Sequence, residues 1–212
     1  MTYPDYNTYT KLYGRYLKKG PERFFSKANP EGKSVLDLCA GGGQLSKYAL
    51  EHGATNVLMV DLARQMLDPD FKGLGRTNRI ETEVEGFLAC NKIQYDIVVC
   101  RQAVNYWFKN VEGEDIARMV KKGGMFVFNT FGNKPSETPT VREYYHEGVA
   151  YKELSYLIDG KIYHTQAATG IPPHFTVFDW ISWEEYSNKL APYFNIEEMV
   201  EGPSSMWYCW KV

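Results

Sequence analysis

No run in these 212 residues approaches the ~20 apolar residues of a membrane-spanning helix. The opening stretch, MTYPDYNTYTKLYGRYLKKG, has no apolar centre of the kind a secretory signal carries. The expectation is a cytoplasmic protein without a membrane partner. Charge of one sign is lacking too: 24 basic against 26 acidic residues leave a net charge of -2, which recruits neither a nucleic-acid backbone nor an anionic lipid surface. Cysteine is scarce. Cys39, Cys90, Cys100 and Cys209 form no C-x-x-C pair and have no histidine at metal-ligand spacing, so no metal is expected and the thiols are read as reduced. Repeats, low-complexity tracts and linkers are missing as well, so residues 1–212 read as one domain, long enough to bury roughly 70% of its unfolded surface.

What is present is an alternation. Apolar, β-branched runs at Ser34 to Cys39, Asn56 to Leu62, Tyr95 to Cys100 and Gly124 to Phe131 read as strands covered on both faces, the mark of a parallel sheet. Helical patterns fall between them at Gln44 to His52, Ala63 to Asp68 and Val111 to Val120, and a weaker strand at Arg79 to Glu85 completes the first half. The reading is a doubly wound α/β fold. Ahead of it, Tyr6, Tyr9, Tyr13 and Tyr16 share one face of a helix over Tyr6 to Leu17, within a helical cap spanning about residues 1–30.

Residues 132–181 break the rhythm. Tyr151 to Leu157 and Lys161 to Ala167 flank Asp159-Gly160, a strong tight-turn signal for an antiparallel hairpin, and His174 to Ile181 reads as a third strand. This insertion leaves a strand at the carboxyl edge of the sheet, where doubly wound folds bind ligands, and is expected to act as a lid. A helix from Ser182 to Pro192 and two strands, Asn195 to Glu201 and Ser205 to Val212, joined by Gly202-Pro203, close the chain.

The chemistry concentrates in Val35-Leu36-Asp37-Leu38-Cys39-Ala40-Gly41-Gly42-Gly43. A Walker phosphate loop requires a following Gly-Lys-Ser/Thr, which is absent. A dinucleotide fingerprint would use Gly41, Gly43 and Ser46, but it would set the Asp37 carboxylate beside a pyrophosphate of like charge. A ligand with a positive centre and no phosphate, S-adenosylmethionine, satisfies the acid. The adenosine of such a ligand still needs an acid for its ribose.

Asp37 to Gly43 resembles the first motif of the class I, Rossmann-like S-adenosylmethionine-dependent methyltransferases of the small-molecule type, with Cys39 in place of that motif's first glycine. Val60-Asp61-Leu62 resembles the family's second acid, Tyr95 to Cys100 its fourth strand, Lys121 to Gly124 the turn before its fifth, and the closing hairpin its reversed seventh strand. The resemblance implies a seven-stranded, mostly parallel sheet with a reversed C-terminal strand and a small antiparallel lid. It implies a cofactor, S-adenosylmethionine, held by Tyr13, Asp37, Cys39, Ala40, Gly41, Gly43, Asp61, Leu62, Met66, Gly86, Phe87, Arg101 and Gln102. Tyrosines such as Tyr6 and Tyr13 would cover its methionine end and Arg15 would pair its carboxylate.

The implied reaction is methyl transfer to a nitrogen or oxygen of a small-molecule acceptor, with His174, His146 and Tyr106 as the groups placed to assist it. Nucleic acid is the less favoured substrate, because Arg101-Gln102-Ala103-Val104-Asn105 stands where amino-methylating DNA enzymes carry Asn/Asp-Pro-Pro-aromatic, and Pro-Cys occurs nowhere. Two alternatives stay open: a protein of the same fold that binds the cofactor without transferring methyl, or uses it in a lyase or cyclisation reaction, and an NAD-dependent oxidoreductase.

Overall fold

Two sheets organise the chain in a computed structural model that describes residues 4–17, 20–69, 71, 75–201 and 204–212. Helices α1 (Tyr6–Leu17) and α2 (Pro21–Phe24) come first. The alternating portion follows as β1 (Ser34–Leu38), α3 (Gln44–Glu51), β2 (Asn56–Asp61), β3 (Thr77–Glu81), α4 (Val84–Cys90), β4 (Tyr95–Cys100), α5 (Val104–Trp107), α6 (Gly113–Met119) and β5 (Val120–Phe131). The insertion contributes β6 (Thr140–His146), β7 (Val149–Ile158), β8 (Lys161–Ala168) and β9 (Ile171–Asp179), and the chain ends with α7 (Trp183–Leu190), β10 (Phe194–Glu201) and β11 (Ser204–Lys211).

The large sheet has the order β10-β11-β5-β4-β1-β2-β3, parallel from β3 through β5, with β11 running antiparallel to β5. The order reverses between β1 and β4, so the crevice at their carboxyl ends is the topological place for a ligand. Both faces of its central strands are dry. Leu36, Leu38, Val98, Phe126 and Phe128 pack on one side with Trp107 and Trp207, while Val35, Val57, Ile97, Val99 and Val127 pack on the other beneath α3. The period of two along a strand therefore puts Asp37 on the α3 side, with Val35.

Several boundaries differ from the expectation. The helix expected over Ala63 to Asp68 is one 3-10 turn, Arg64–Met66, because Pro69 disfavours helical backbone at Asp68 and the chain is already extended at Leu67. The third strand is Thr77–Glu81, earlier than expected, and α4 follows it, a helix absent from the reading. Lys121 to Gly124 lies inside β5 as an irregular start, with a register shift opposite Tyr95 and Ile97 and Gly123 at φ 74. The last helix begins as expected: Ser182 Oγ accepts from the Glu185 N–H while the Glu185 carboxylate accepts from Ser182 N–H at 2.7 Å. The proposed Gly202-Pro203 joint lies outside the described residues.

The insertion is a four-stranded antiparallel sheet, β6-β7-β8-β9, one strand more than expected. The missing strand was β6, whose partner turn is Glu147-Gly148 rather than a familiar Asn-Gly or Asp-Gly. Both residues have positive φ, 48 and 82, as do Asp159 and Gly160 at 49 and 73, the signature of two-residue hairpin turns matched to strand twist. One face of this sheet packs on α1. Leu12 is enclosed by Tyr151 and Ala168, Gln166 Nε2 donates to the Leu12 carbonyl at 2.5 Å, and Tyr151 Oη–H donates to the Lys11 carbonyl at 3.0 Å. Leu157, Ile162 and Phe178 extend the same buried face.

Candidate active site

The turn after β1 is shaped by three residues in left-handed backbone: Cys39 at φ 56, Gly41 at 53 and Gly43 at 81. A Cβ at Gly41 would stand in ordinary contact with Tyr9 Oη, at 3.5 Å, so it is the left-handed backbone rather than lack of room that favours glycine there. Ala40 N–H bonds to the Val60 carbonyl and ties the turn to β2. Two more of its amides are engaged: Gly41 N–H donates to Asp61 Oδ2 at 2.7 Å and Gly43 N–H to the Ala40 carbonyl at 2.8 Å. A phosphate cradle needs such N–H groups free. This turn instead presents carboxylates.

Asp37 is 1% exposed. Its hydrogen bonds, both from Ser46, reach Oδ2 from the hydroxyl at 2.6 Å and from the backbone N–H at 3.2 Å. Burial pushes its carboxyl up to about 7; the Ser46 bonds and nearby Arg101 oppose this, and the Asp61 charge adds to it. Asp61, at the end of β2, is 9% exposed and accepts from Ala63 N–H at 2.7 Å through Oδ1 as well as from Gly41. Two buried carboxylates thus flank the turn, from adjacent parallel strands. A cationic group between them would relieve Asp37, and each carboxylate oxygen of Asp61 keeps a lone pair beyond its one amide bond, open to a hydroxyl. The donor set fits the sulfonium nucleoside S-adenosylmethionine.

Of the other expected residues, Arg101 and Met66 come near the turn. Arg101, after β4, sits close enough to Asp37 and Tyr9 to interact with their charges, and burial lowers its pKa. Met66 places its Cε near Gly41, 3.9 Å from where a Cβ would lie. Gln102 has φ 54, and its N–H donates to Asn129 Oδ1 at 2.8 Å. Leu62 follows Asp61 and is 46% exposed. Cys39 hydrogen-bonds Cys100 and both are free thiols; that bond, with burial, drives the Cys39 pKa up. Tyr13 Oη lies 2.7 Å from His174 Nδ1 with the rings edge to face. Burial lowers the His174 pKa, as does neighbouring His164. Tyr106 packs its ring on Phe178, 5.3 Å between centroids.

Some expectations are corrected. Gly86 and Phe87, expected to follow the third strand directly, lie inside α4, where Phe87 is buried in the same core cluster as Val84 and Leu88; Thr82 and Glu83 are the residues that follow β3. His146 stands on β6, the edge strand opposite the one that carries His174, where it pairs with Val149 and lies 3.9 Å from the Glu147 carboxylate. The two histidines are not brought together. Of Arg15 the side chain lies outside the described residues. No group of three metal-ligating side chains occurs among the described residues.

Tyr9 is the residue the sequence reading passed over. Its phenol stands beside Gly41, its ring lies 5.3 Å from that of Tyr13, and it interacts with Arg101, Asp61, Tyr106 and Asp37. Burial pushes its pKa up to about 12, so it is a neutral hydroxyl at pH 7. Its place in the tyrosine stripe was the available signal. Asn105, Thr130 and Tyr186 form a second, unforeseen network: Thr130 Oγ1 donates to Asn105 Oδ1 at 2.8 Å and lies 3.2 Å from Tyr186 Oη, and Asn105 Nδ2 donates to the Asp179 carbonyl at 2.8 Å. It fastens the segment that carries Tyr106 to the exit of the insertion.

Fold and turn together define a Rossmann-like nucleoside-binding α/β protein whose site favours a cationic ligand. The family described as "Methyltransferase domain" matches residues 9–198. The chain belongs to this family of S-adenosylmethionine-dependent methyltransferases.

Curated relatives include the ribosomal protein L11 methyltransferase of Thermosipho melanesiensis, 29% identical over 124 residues (58% of this chain, 44% of that protein). Another is the ubiquinone biosynthesis O-methyltransferase of Azoarcus sp., 32% identical over 110 residues (47% and 44%). The chain spans less than half the length of each of these. Among solved structures, an S-adenosylmethionine-bound amino pentose methyltransferase from Micromonospora echinaspora superposes with a TM-score of 0.67 at 17% identity, over 100% of this chain and 99% of that one. A sugar N-methyltransferase from Streptoalloteichus sp. gives 0.66 at 18%, over 100% and 96%.

Proposed function

We propose that this protein transfers the methyl group of S-adenosylmethionine to a nitrogen or oxygen of a small-molecule acceptor, with α1 and the 132–181 insertion serving as cover within a single domain. The observation that carries this reading is the state of the glycine turn: its Gly41 and Gly43 amides are bound to Asp61 and Ala40, and two buried carboxylates flank it, where a pyrophosphate would add like charge. In this reading Asp61 holds the ribose hydroxyls, Asp37 the cationic end of the ligand, and Gly41 with Gly43 the close backbone approach. Tyr9, Tyr13 and Arg101 stand over the methionine end. When bound, the cofactor supplies an electrophilic methyl on a sulfonium.

The chain's own task is then to hold the acceptor in line and keep water out. Aromatic rings at Tyr106, Phe178 and Phe131 form a continuous wall, with Phe131 and Phe178 stacked at 5.4 Å. Burial keeps His174 neutral at pH 7, so one ring nitrogen is available to accept an acceptor proton, and the Tyr13 hydroxyl fixes the ring through Nδ1. A small acceptor is supported by the near-neutral net charge and by the sugar N-methyltransferase neighbours.

Calorimetry with S-adenosylhomocysteine and NADH, followed by transfer of labelled methyl to fractionated metabolites, tests the reading. Uptake of NADH with no response to S-adenosylhomocysteine overturns the site assignment. Release of methylthioadenosine in place of S-adenosylhomocysteine would overturn methyl transfer in favour of lyase chemistry.

A further inference from the structure

The two faces of the insertion sheet have different fates. One is buried against α1 and the main body. The other follows from cross-strand register: Val141 lies opposite Leu154, Tyr156 opposite Tyr163, Tyr163 opposite Val177, and Phe175 joins Leu154 in the next row. An antiparallel sheet with one face on a core usually turns polar residues to water on the other. Here Val141 and Phe175 are each 52% exposed, Tyr156 and Tyr163 stack at 5.2 Å with an interplanar angle of 4°, and Phe175 lies 6.3 Å from Tyr163. The face is an aromatic and aliphatic surface that no described element covers.

Charge on this face is balanced in a particular way. Glu143 and Lys152 are cross-strand partners with Nζ and Oε1 2.9 Å apart, and both are exposed. A carboxylate and an ammonium side by side are self-complementary about a two-fold axis, since the rotation brings each ammonium over the other copy's carboxylate. With no net charge, the face offers nothing to a polyanion. Each chain carries only -2 overall, so two copies repel weakly. Four strands about 4.8 Å apart and about eight residues long at about 3.4 Å each give a face of about 500 Å². Two such faces bury about 1,000 Å² in all, the lower end of what a specific interface needs.

We propose that the outer face of the insertion sheet is the contact between two copies of this chain, in a two-fold dimer that forms and dissociates with concentration. The association leaves α1 and the glycine turn on the far side of each sheet.

Sedimentation velocity on the full chain from about 1 to about 100 µM, the range in which an interface of this small class changes occupancy, reads the equilibrium. The expected result is a monomer-to-dimer shift across the series. Phe175→Glu should weaken association at least tenfold, and Glu143→Lys alone should weaken it while Glu143→Lys with Lys152→Glu restores it. Because Phe175 is half exposed, folding is expected to persist, checked by S-adenosylhomocysteine binding in the same samples; should it not, Val141→Glu on the edge strand supplies the same readout. A chain that stays monomeric at the top concentration, leaving the face to a different protein, overturns the proposal. So does a dimer indifferent to the face variants, or a double charge swap that remains weakened.

Discussion

Raising the pH from about 4 to 7 should weaken the unliganded protein through a single group, Asp37. Its carboxyl is held near 7 by burial in the folded state against an ordinary 3.8. The folded chain therefore keeps a proton that the unfolded chain has released. Stability from this group is complete below about 4 and is lost as pH rises through about 7, after which it is flat. Three units of displacement correspond to about 4 kcal/mol. Asp37→Asn keeps an oxygen to accept the Ser46 hydroxyl but carries no charge, so its stability should exceed that of the wild type by a growing margin across this window.

Other groups act in the opposite sense. Asp96, despite partial burial, is brought down to about 2 by Lys121 and Ser34, so its stabilisation is lost only as pH falls from about 4 toward 2 and is constant above that. The difference between the two proteins removes that background. Urea unfolding of both at pH 4.5, 6 and 7.5 measures it, about 1.4 kcal/mol of difference being expected per pH unit inside the window. A cationic ligand favours the ionised acid, so S-adenosylmethionine affinity of the wild type should rise about tenfold per unit between pH 5.5 and 7, below the titration of the ligand's own amino group. Parallel stability profiles for wild type and Asp37→Asn, or affinity that ignores pH in this range, would refute the electrostatic account of the site.

Asp61→Ala strands the Gly41 and Ala63 amides, a loss of about 1–3 kcal/mol each; thermal melting should fall and calorimetry should show no S-adenosylhomocysteine binding, and retained binding would remove Asp61 from the ribose site. Gly113→Ala sets a Cβ 2.0 Å from the Lys189 carbonyl oxygen and must push α6 from α7, so a loss of about 3 kcal/mol or more is expected in denaturant unfolding. Gly86→Ala, in open helix, should instead be neutral or stabilise by up to about 1 kcal/mol and leave cofactor binding intact. His174→Phe removes the Tyr13 partner; methyl transfer to a hydroxyl acceptor should then lose its dependence on a group titrating below 6.5, while S-adenosylhomocysteine affinity changes little.

The strands of the large sheet were legible because β1, β2 and β4 are buried on both faces and so are written in unbroken apolar runs. Asp37 and Asp61 were legible for a related reason. An acid closing such a run violates the local pattern, and its position at a strand end gives its address in the sheet. The helix α4 was hidden because Gly86 weakens its propensity, and its helicity rests on Val84, Phe87 and Leu88 entering the core. The strand β6 was hidden because its outward residues, Val141, Glu143 and Tyr145, do not alternate apolar with polar against a water-facing side.

The chain's residues by themselves determined the alternating α/β plan and the two acids that frame its turn, since burial pattern and charge are properties of short segments. Tertiary structure alone decided that Tyr9 stands beside Gly41, that the Ala40, Gly41 and Gly43 amides are already bound, that His174 meets Tyr13 while His146 is carried to the far edge, and which face of the insertion is left bare. Each of these joins residues distant along the chain, and such contacts are set by how whole elements pack rather than by any local preference.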